Sequence, residues 1–279
     1  MGIFFNLNGK IYPDEQLVFS RDNRSFRFGD GLFETMKAIE GDLLLKSLHF
    51  ERLFAGMKLL KFEILPFLTG AYLEQEVTAL LNKNLHTNIA RIRLTVFRGN
   101  GGLLRPQNHV PAFIIETTDI TNRTSNHEEG LVVTIFPHIK KSCDSFSNVK
   151  SNNFLPYVMA QIHADENTAD DCLLLNAHGR ICESATANVF VMKDNLIYTP
   201  PLSEGCVAGV TRKWVLDNRQ IFPYEISEKT ISTEEIDSAD EIFLTNAIHH
   251  MSGVKQFRST HYKQQGVSIM KRILGENIS

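Results

Sequence analysis

The sequence predicts a mixed α/β protein of two domains, and three observations lead to this prediction. The chain has 279 residues, which suits one large domain or two of ordinary size. Apolar residues make up 43% of the sequence, enough for a sizeable core. Strand-like and helix-like patterns alternate on both sides of residues 117–129, a polar stretch without apolar periodicity. We therefore place a small α/β domain at 1–117, a linker at 118–129 and a larger domain at 130–279.

Composition argues against several classes of protein. The net charge of −3 gives no reason to expect nucleic acid or an acidic membrane surface as a partner. The N-terminus lacks the basic and apolar regions of a signal peptide, and no apolar run approaches the ~20 residues that span a bilayer. The four cysteines show no CxxC spacing, and the histidines show no metal-ligand spacing. We expect a cytoplasmic protein with reduced thiols and no metal site.

The first half of the chain alternates strands with helices. Asn8 and Gly9 tolerate positive φ and favour the tight turn of a β-hairpin. Ser47 is a candidate N-cap for a helix that carries apolar residues at helical spacing. The other predicted elements are a bend at 27–31, strands at 32–39, 90–97 and 110–116, and a helix at 71–81.

The second half shows the same mixture. Pro156 suits the first turn of a helix, where its missing N–H does no harm. Asp194 and Asn195 favour a hairpin turn. The predicted strands are 131–136, 172–175, 181–192, 196–198 and 241–244, and the predicted helices are 154–165, 209–218 and 262–274.

Lys150 and Glu183 are the two residues in this half that can carry cofactor chemistry. A lysine amine can hold the aldehyde of pyridoxal 5'-phosphate (PLP) as a Schiff base, and an acidic group can keep the pyridine nitrogen protonated. The alternative for these two residues alone is a surface lysine and a glutamate on an edge strand.

Two further features could bind a phosphate group. Gly209, Val210 and Thr211 follow a Pro/Gly-containing loop and begin a helix, whose free N–H groups and dipole attract anions. The alternative is an ordinary capped helix. Arg52 lies on the apolar side of its helix and must find an anion, either a phosphate or an internal partner such as Glu51 or Glu34.

Eight motifs now give these features a common context. They are FGDGLFET (28–35), HFERL (49–53), FRGNGG (97–102), KSNN (150–153), ESATANVF (183–190), TPP (199–201), GVTR (209–212) and ADEIFLTNA (239–247). Their order resembles that of the class IV aminotransferases, PLP enzymes of fold type IV that include branched-chain aminotransferase, D-amino-acid aminotransferase and aminodeoxychorismate lyase. The resemblance implies a small N-terminal α/β domain, a larger β-barrel-like domain, the cofactor between them, and a homodimer.

The resemblance also implies roles for individual residues. Lys150 would form the Schiff base and then act as general base, and Glu183 would pair with the pyridinium nitrogen. Arg52 and the backbone N–H groups of Val210 and Thr211 would hold the phosphate.

Three more residues are implied as cofactor contacts. Several relatives have a serine or threonine that touches the phosphate at the position of Ala247, so Thr245 or Asn246 would take that role here. Asn153 resembles a family asparagine near a cofactor oxygen, and a helix N-cap is the equally plausible alternative.

The substrate carboxylate needs a cation, and the candidates are Lys37, Arg91, Arg93, Arg98 and Arg105. Lys37 stands where branched-chain enzymes carry an arginine. Phe33 stands where D-amino-acid aminotransferase has a tyrosine, which argues against that activity. Leu103 stands where the lyase and D-amino-acid aminotransferase carry an arginine, and Arg105 lies two positions on and would replace it.

Three functions follow from these residues. The first is an aminotransferase that moves an amino group between a small, possibly branched-chain, amino acid and a 2-oxo acid. The second is a 4-amino-4-deoxychorismate lyase that releases pyruvate and 4-aminobenzoate. The third is a non-catalytic relative, which the intact pair of Lys150 and Glu183 disfavours. The loss of the lyase arginine at Leu103 favours transamination.

Overall fold

The computed structural model describes residues 3–16, 19–122 and 129–278 of the chain. These residues form two compact units. The first unit is built from the described residues up to 122 together with Lys150–Asn153, and the second from 129–149 and 154–278. The KSNN segment therefore belongs to the first unit, although it lies within the sequence assigned above to the larger domain. Half of the predicted linker, residues 123–128, lies outside the described residues.

The first unit is an antiparallel sheet with helices. Its strands are β1 (Phe4–Leu7), β2 (Lys10–Pro13), β3 (Gly31–Ile39), β4 (Asp42–Leu43), β5 (Ile89–Arg98) and β6 (Pro111–Asp119). Its helices are α1 (Arg24–Phe28), α2 (Lys46–Leu59) and α3 (Gly70–Asn84). The strand order is β2-β1-β6-β5-β3-β4, and every pairing is antiparallel.

Local sequence explains most of this unit. Asn8 and Gly9 adopt φ values of 52° and 83° in the turn between β1 and β2, as the sequence predicts. Alternate residues of β5, including Ile92 and Leu94, are fully buried. The Ser47 N-cap prediction is wrong, because the N-cap of α2 is Leu45, two residues earlier. Leu45 adopts the left-handed conformation and makes no side-chain hydrogen bond to the helix.

The second unit contains a nine-stranded mixed sheet. Its strands are β7 (Leu131–Lys141), β8 (Asp171–Asn176), β9 (Ile181–Ser184), β10 (Asn188–Lys193), β11 (Leu196–Thr199), β12 (Glu225–Glu228), β13 (Glu241–Asn246), β14 (His250–Phe257) and β15 (Thr260–His261). Its helices are α4 (Leu155–Glu166), α5 (Val210–Asp217), α6 (Thr233–Asp237) and α7 (Gln265–Asn277). The strand order is β12-β11-β10-β13-β14-β7-β8-β9, with β15 paired to β14.

The sheet of the second unit buries side chains on both faces. Phe190 and Phe243 stack with ring centroids 4.9 Å apart in one apolar cluster, which also contains residues of α5 and α7. Val189 and Leu244 lie in a second cluster with residues of β7 and β14. Because both faces are covered, the central strands are continuous apolar runs without alternation.

Three boundaries differ from the sequence predictions. The strand predicted at 181–192 is divided into β9 and β10, because Ser184 and Thr186 turn their hydroxyls onto buried Asp171. The last helix begins at Gln265 and not at Tyr262, whose hydroxyl bonds the carbonyl of Ile236. The first residues of the predicted linker, up to Asp119, belong to β6.

Candidate active site

Lys150 is fixed by backbone pairing to β3 in the first unit. Its carbonyl accepts a hydrogen bond from Phe33 N at 2.9 Å, and Ser151 forms a β-bridge with Leu32. Asn152 N in turn donates to the carbonyl of Gly31 at 2.9 Å. A segment tied to a strand at successive positions holds its side chain in a defined direction. The lysine Nζ lies 4.5 Å from the centroid of the Phe33 ring.

The sheet face that carries Phe33 is rich in cations. Arg93 lies on the same ring, with Cζ 3.9 Å from its centroid. Lys37 stands directly opposite Arg91 in the β3–β5 pairing, so these side chains share the face of Phe33 and Arg93. Burial lowers the pKa of Lys37 and of Arg93, and Glu116 partly opposes the effect on Arg93. Among the described residues, no carboxylate forms a salt bridge with Lys37, Arg91 or Arg93.

On the opposite face of β3, Glu34 joins Arg52 and His49. Its carboxylate is 1% exposed and accepts from Arg52 Nε at 2.8 Å and Arg52 Nη2 at 2.5 Å. His49 Nδ1 lies 2.6 Å from the same carboxylate. Burial alone would raise the pKa of Glu34, but the charge of Arg52 and the hydrogen bonds of both partners lower it to about 2. The internal partner considered for Arg52 is thus Glu34, and the phosphate role of Arg52 stays a prediction.

Glu183 lies at the centre of a buried polar cluster in the second unit. Its Oε1 contacts Lys141 Nζ and accepts a hydrogen bond from Tyr157 Oη at 2.8 Å. Its Oε2 accepts from Val207 N at 2.9 Å. The residue is 3% exposed, so these donors replace the water that a carboxylate would otherwise bind.

A chain of hydrogen bonds connects Glu183 to the start of α5. The carbonyl of Val207, whose N–H binds Glu183, accepts from Gly209 N at 2.8 Å and from Asn188 Nδ2 at 2.9 Å. Gly209 is the N-cap of α5 and provides no side-chain hydrogen bond to its first turn. A carboxylate and an uncapped helix start are therefore held in one network, which suits an elongated ligand with a cation at one end and an anion at the other.

Two buried hydroxyls lie near this helix start. Thr211 is in its first turn, and Thr245 pairs in register with Asn188, which lies against Gly209. Within the described chain, neither Oγ1 has a hydrogen-bond partner. A buried hydroxyl without a partner is costly, and an anion at this position would satisfy it.

Comparison with known proteins identifies the family. The model of the family "Amino-transferase class IV" matches residues 31–257, which is most of the chain. The chain belongs to the class IV aminotransferases. The predictions of this family, of an enzyme, of the fold type IV α/β class and of PLP as cofactor are thereby confirmed.

Relatives of this class IV aminotransferase carry different names. It is 28% identical over 240 residues to a putative branched-chain-amino-acid aminotransferase of Methanocaldococcus jannaschii, covering 86% of this chain and 82% of the relative. It is 25% identical over 267 residues to an aminodeoxychorismate lyase of Bacillus subtilis, covering 93% and 88%. Its fold is similar to that of the branched-chain aminotransferase from Thermoproteus uzoniensis solved with norvaline, with a TM-score of 0.86, 20% identity and coverage of 99% and 96%. The comparisons identify the family, but they do not distinguish an aminotransferase from an aminodeoxychorismate lyase.

The residues of the second unit fit PLP. The uncapped start of α5 and the two unpartnered hydroxyls suit its phosphate, and the Glu183 carboxylate suits its ring nitrogen. Within the described residues, no group of three or more His, Cys, Asp or Glu side chains could hold a metal ion.

The remaining residues predicted for this class IV aminotransferase fall in different settings. Asn153 is not the N-cap of α4, because that position is Phe154. The side chain of Asn153 packs on Gly29 instead. Asn246 uses its side-chain oxygen for the backbone of Ile248 and His249, so this oxygen shapes the turn after β13.

Two of the candidate cations separate clearly. Arg98 bonds Asp30 and the carbonyls of Leu60 and Lys61, which makes it a structural residue. Arg105 is exposed, and the structure describes no contact that joins it to Phe33, Lys37 or Arg93.

The sequence reasoning missed Lys141 and Tyr157. Lys141 lies beyond the predicted end of its strand, and a register shift between Phe136 and Lys140 brings it to Glu183. Tyr157 lies in the first turns of α4, seven positions after Lys150. A lysine nine positions before Lys150 is a signal visible in the sequence, whereas the register shift that directs it to Glu183 is not.

The helices of the described chain include none that is both long and apolar enough to cross a membrane. The four cysteines are free, and burial raises the pKa of Cys172, Cys182 and Cys206.

Proposed function

We propose that the protein transfers an amino group between a small, possibly branched-chain, amino acid and a 2-oxo acid, with Lys150 as the residue that bonds the cofactor and moves the substrate proton. PLP supplies an aldehyde that bonds amines and a ring that accepts electrons from the substrate's α-carbon. The role of the protein is to place an amine, an acid and an anion site around these groups.

The observation that carries the proposal is the pair of cationic groups on the Phe33 ring. Lys150 Nζ and Arg93 Cζ lie 4.5 Å and 3.9 Å from the same centroid. An α-amino acid has its carboxylate directly attached to the carbon that loses a proton. An amine and a guanidinium that share one aromatic ring can therefore serve one substrate, the first at the α-carbon and the second at the carboxylate.

The remaining cations of this face extend the proposal. Lys37 and Arg91 lie opposite each other and form no salt bridge with a carboxylate of the described chain. Partly buried cations without such partners are candidates for binding an anion from outside. We assign Lys37, Arg91 and Arg93 to substrate carboxylates, with Phe33 as the apolar floor. Arg105, which is exposed, remains a weaker proposal for this role.

The cofactor's other contacts follow the sequence predictions. Glu183 would bind the ring nitrogen, and the N–H groups of Val210 and Thr211 would bind the phosphate. Arg52 is proposed as a further phosphate contact that Glu34 orients through two hydrogen bonds. Asn153 is proposed near a cofactor oxygen.

Thr245 and Asn246 are the alternatives for the hydroxyl that Ala247 lacks. The buried Thr245 Oγ1 has no partner within the described residues, whereas the Asn246 oxygen already accepts two backbone hydrogen bonds. These contacts favour Thr245 for this role.

A lyase activity that releases pyruvate and 4-aminobenzoate from aminodeoxychorismate is the second candidate. It is favoured by the Bacillus subtilis relative, which aligns over 93% of the chain. It is disfavoured by Leu103, whose side chain is 74% exposed at the position of the lyase arginine. The anion-binding face would suit either substrate.

A panel of amino donors tested with 2-oxoglutarate, with glutamate as the product measured, would decide between the candidates. Transamination predicts glutamate formation that depends on both substrates. Arg93→Leu should raise the KM for the amino acid and for 2-oxoglutarate. Pyruvate released from aminodeoxychorismate without a 2-oxo acid would establish the lyase instead. Protein that stays colourless after addition of PLP would leave only the non-catalytic relative.

We further propose a homodimer, as the family resemblance implies, and a location in the cytoplasm. The four free cysteines fit a reducing compartment. Sedimentation of the purified protein would measure its oligomeric state, and a monomer at micromolar concentration would contradict the proposal.

A further inference from the structure

Glu183 has more hydrogen-bonding partners than the binding of a ring nitrogen requires. The carboxylate is 3% exposed, and the side chain of Lys141 is 10% exposed. Lys141 Nζ contacts Glu183 Oε1 and donates to Tyr157 Oη at 2.6 Å, and the tyrosine donates to the same Oε1 at 2.8 Å. Lys141, Tyr157 and Glu183 thus close a three-membered hydrogen-bond ring on one carboxylate oxygen.

This ring leaves the two carboxylate oxygens with different surroundings. Oε1 is occupied by Lys141 and Tyr157, whereas the backbone of Val207 is the donor to Oε2. A carboxylate oxygen accepts about two hydrogen bonds. Oε2 therefore has the remaining capacity, and it is the oxygen on the side of the network that leads to α5.

The charges around Glu183 come from several elements. Lys141 on β7 is a cation that contacts it, and Tyr157 on α4 is a phenol whose pKa is raised by burial and by Glu183 itself. The thiols of Cys182 and Cys206 are neutral, because burial and the charge of Glu183 raise their pKa. In the described part of the chain, Lys141 is thus the charge that balances Glu183.

We propose that Lys141 is a positioning residue, which keeps Glu183 ionised before the cofactor arrives and directs its Oε2 toward the ring nitrogen. The inference rests on the proposed role of Glu183. A buried carboxylate without a compensating cation takes up a proton. Without Lys141, Glu183 would hold a proton in the empty protein and would give it up when the cationic ring nitrogen binds.

The number of protons exchanged on binding tests this inference without any turnover. The probe is pyridoxamine 5'-phosphate, which has no aldehyde and so does not bond Lys150. Calorimetric titration at neutral pH in two buffers of different ionisation enthalpy gives the proton count. The wild type should take up about one proton more than Lys141→Met on binding the probe.

Two controls isolate the cause. Lys140 is exposed on the same strand, so Lys140→Met should match the wild type. Lys141→Arg keeps the charge and should restore the wild-type count. An analogue of the probe with a ring carbon in place of the ring nitrogen has no positive charge at that position to displace the proton of Glu183. Lys141→Met and the wild type should therefore give the same proton count with this analogue.

Each outcome has one meaning. Equal counts for Lys141→Met and the wild type overturn the role of Lys141, provided that the wild type still distinguishes the probe from its carbon analogue by affinity. A wild type that binds both equally refutes the role of Glu183 instead. Tyr157→Phe should leave the number of protons exchanged unchanged. A change in this number for Tyr157→Phe but not for Lys141→Met would also overturn the proposal. If Lys141→Met does not fold, Lys141→Gln gives the same readout.

Discussion

Replacing Glu34 by glutamine is expected to lower the free energy of unfolding of the empty protein by about 3 kcal/mol at neutral pH. Glu34 is 1% exposed and takes two hydrogen bonds from Arg52 and one from His49. Burial opposes its charge, but these partners outweigh burial and lower its pKa from 4.5 to about 2. A shift of about 2.5 units corresponds to roughly 3 kcal/mol, and no discount for solvent applies to a carboxylate this deeply buried.

The sign of this effect with pH follows from the direction of the shift. The pKa of Glu34 is lower in the folded state, so the carboxylate stabilises the fold fully above about pH 5. This contribution falls progressively as the pH drops from about 5 toward 2. The variant has no carboxylate to titrate at this position. The difference in unfolding free energy between wild type and variant should therefore shrink as the pH is lowered.

Urea denaturation followed by far-UV circular dichroism at pH 7 and pH 3 would measure this difference. Glu51→Gln is the matched control, because Glu51 is exposed on the same helix beside Arg52. The control should change stability by less than about 0.5 kcal/mol at both pH values. A Glu34→Gln penalty that stays constant with pH, or one that Glu51→Gln reproduces, would refute the electrostatic explanation.

The remaining predictions concern the cofactor and the start of α5. Lys150→Ala should abolish turnover, and multiple turnovers by this variant would refute its role. Arg52→Ala should weaken PLP binding by about 2–4 kcal/mol in a fluorescence titration, whereas unchanged affinity would make it a structural residue. Gly209→Ala should cost about 1–3 kcal/mol in calorimetric unfolding, because its methyl group would collide with Asn188 Oδ1. Gly275→Ala, in open space on α7, is the control and should be neutral or slightly stabilising, and equal losses would contradict the packing argument.

Much of the fold is predictable because local chemistry decides it. The turn at Asn8 and Gly9 needs positive φ, and these residues supply it. The alternation in β5 and Pro156 at the start of α4 predict those elements within a few residues. Their chemistry and the motif order also single out Lys150 and Glu183 as a pair, and the roles of these two residues stay a prediction.

The missed features depend on contacts between segments distant in sequence. The sequence predicts only a bend where helix α1 ends, because the five residues of this helix show no apolar period. The helix is stabilised by its cap at Asn23 and by hydrogen bonds from buried Arg24 to the carbonyls of residues 101–104. The left-handed Leu45 before α2 likewise contradicts local preference. Lys141 reaches Glu183 through a register shift, which no periodicity reveals.

The backbone pairing of residues 150–153 with β3 determines how this protein can be divided. A polypeptide that starts after the linker, at residue 130, would carry Lys150 but not the strand that orients it. A polypeptide that ends at residue 122 would keep the Phe33 ring and the cationic face but would lack Lys150. Dividing the chain at the predicted linker is therefore expected to give two fragments that are each inactive. Activity would return only by complementation, when the tetrapeptide of one fragment docks onto the strand of the other.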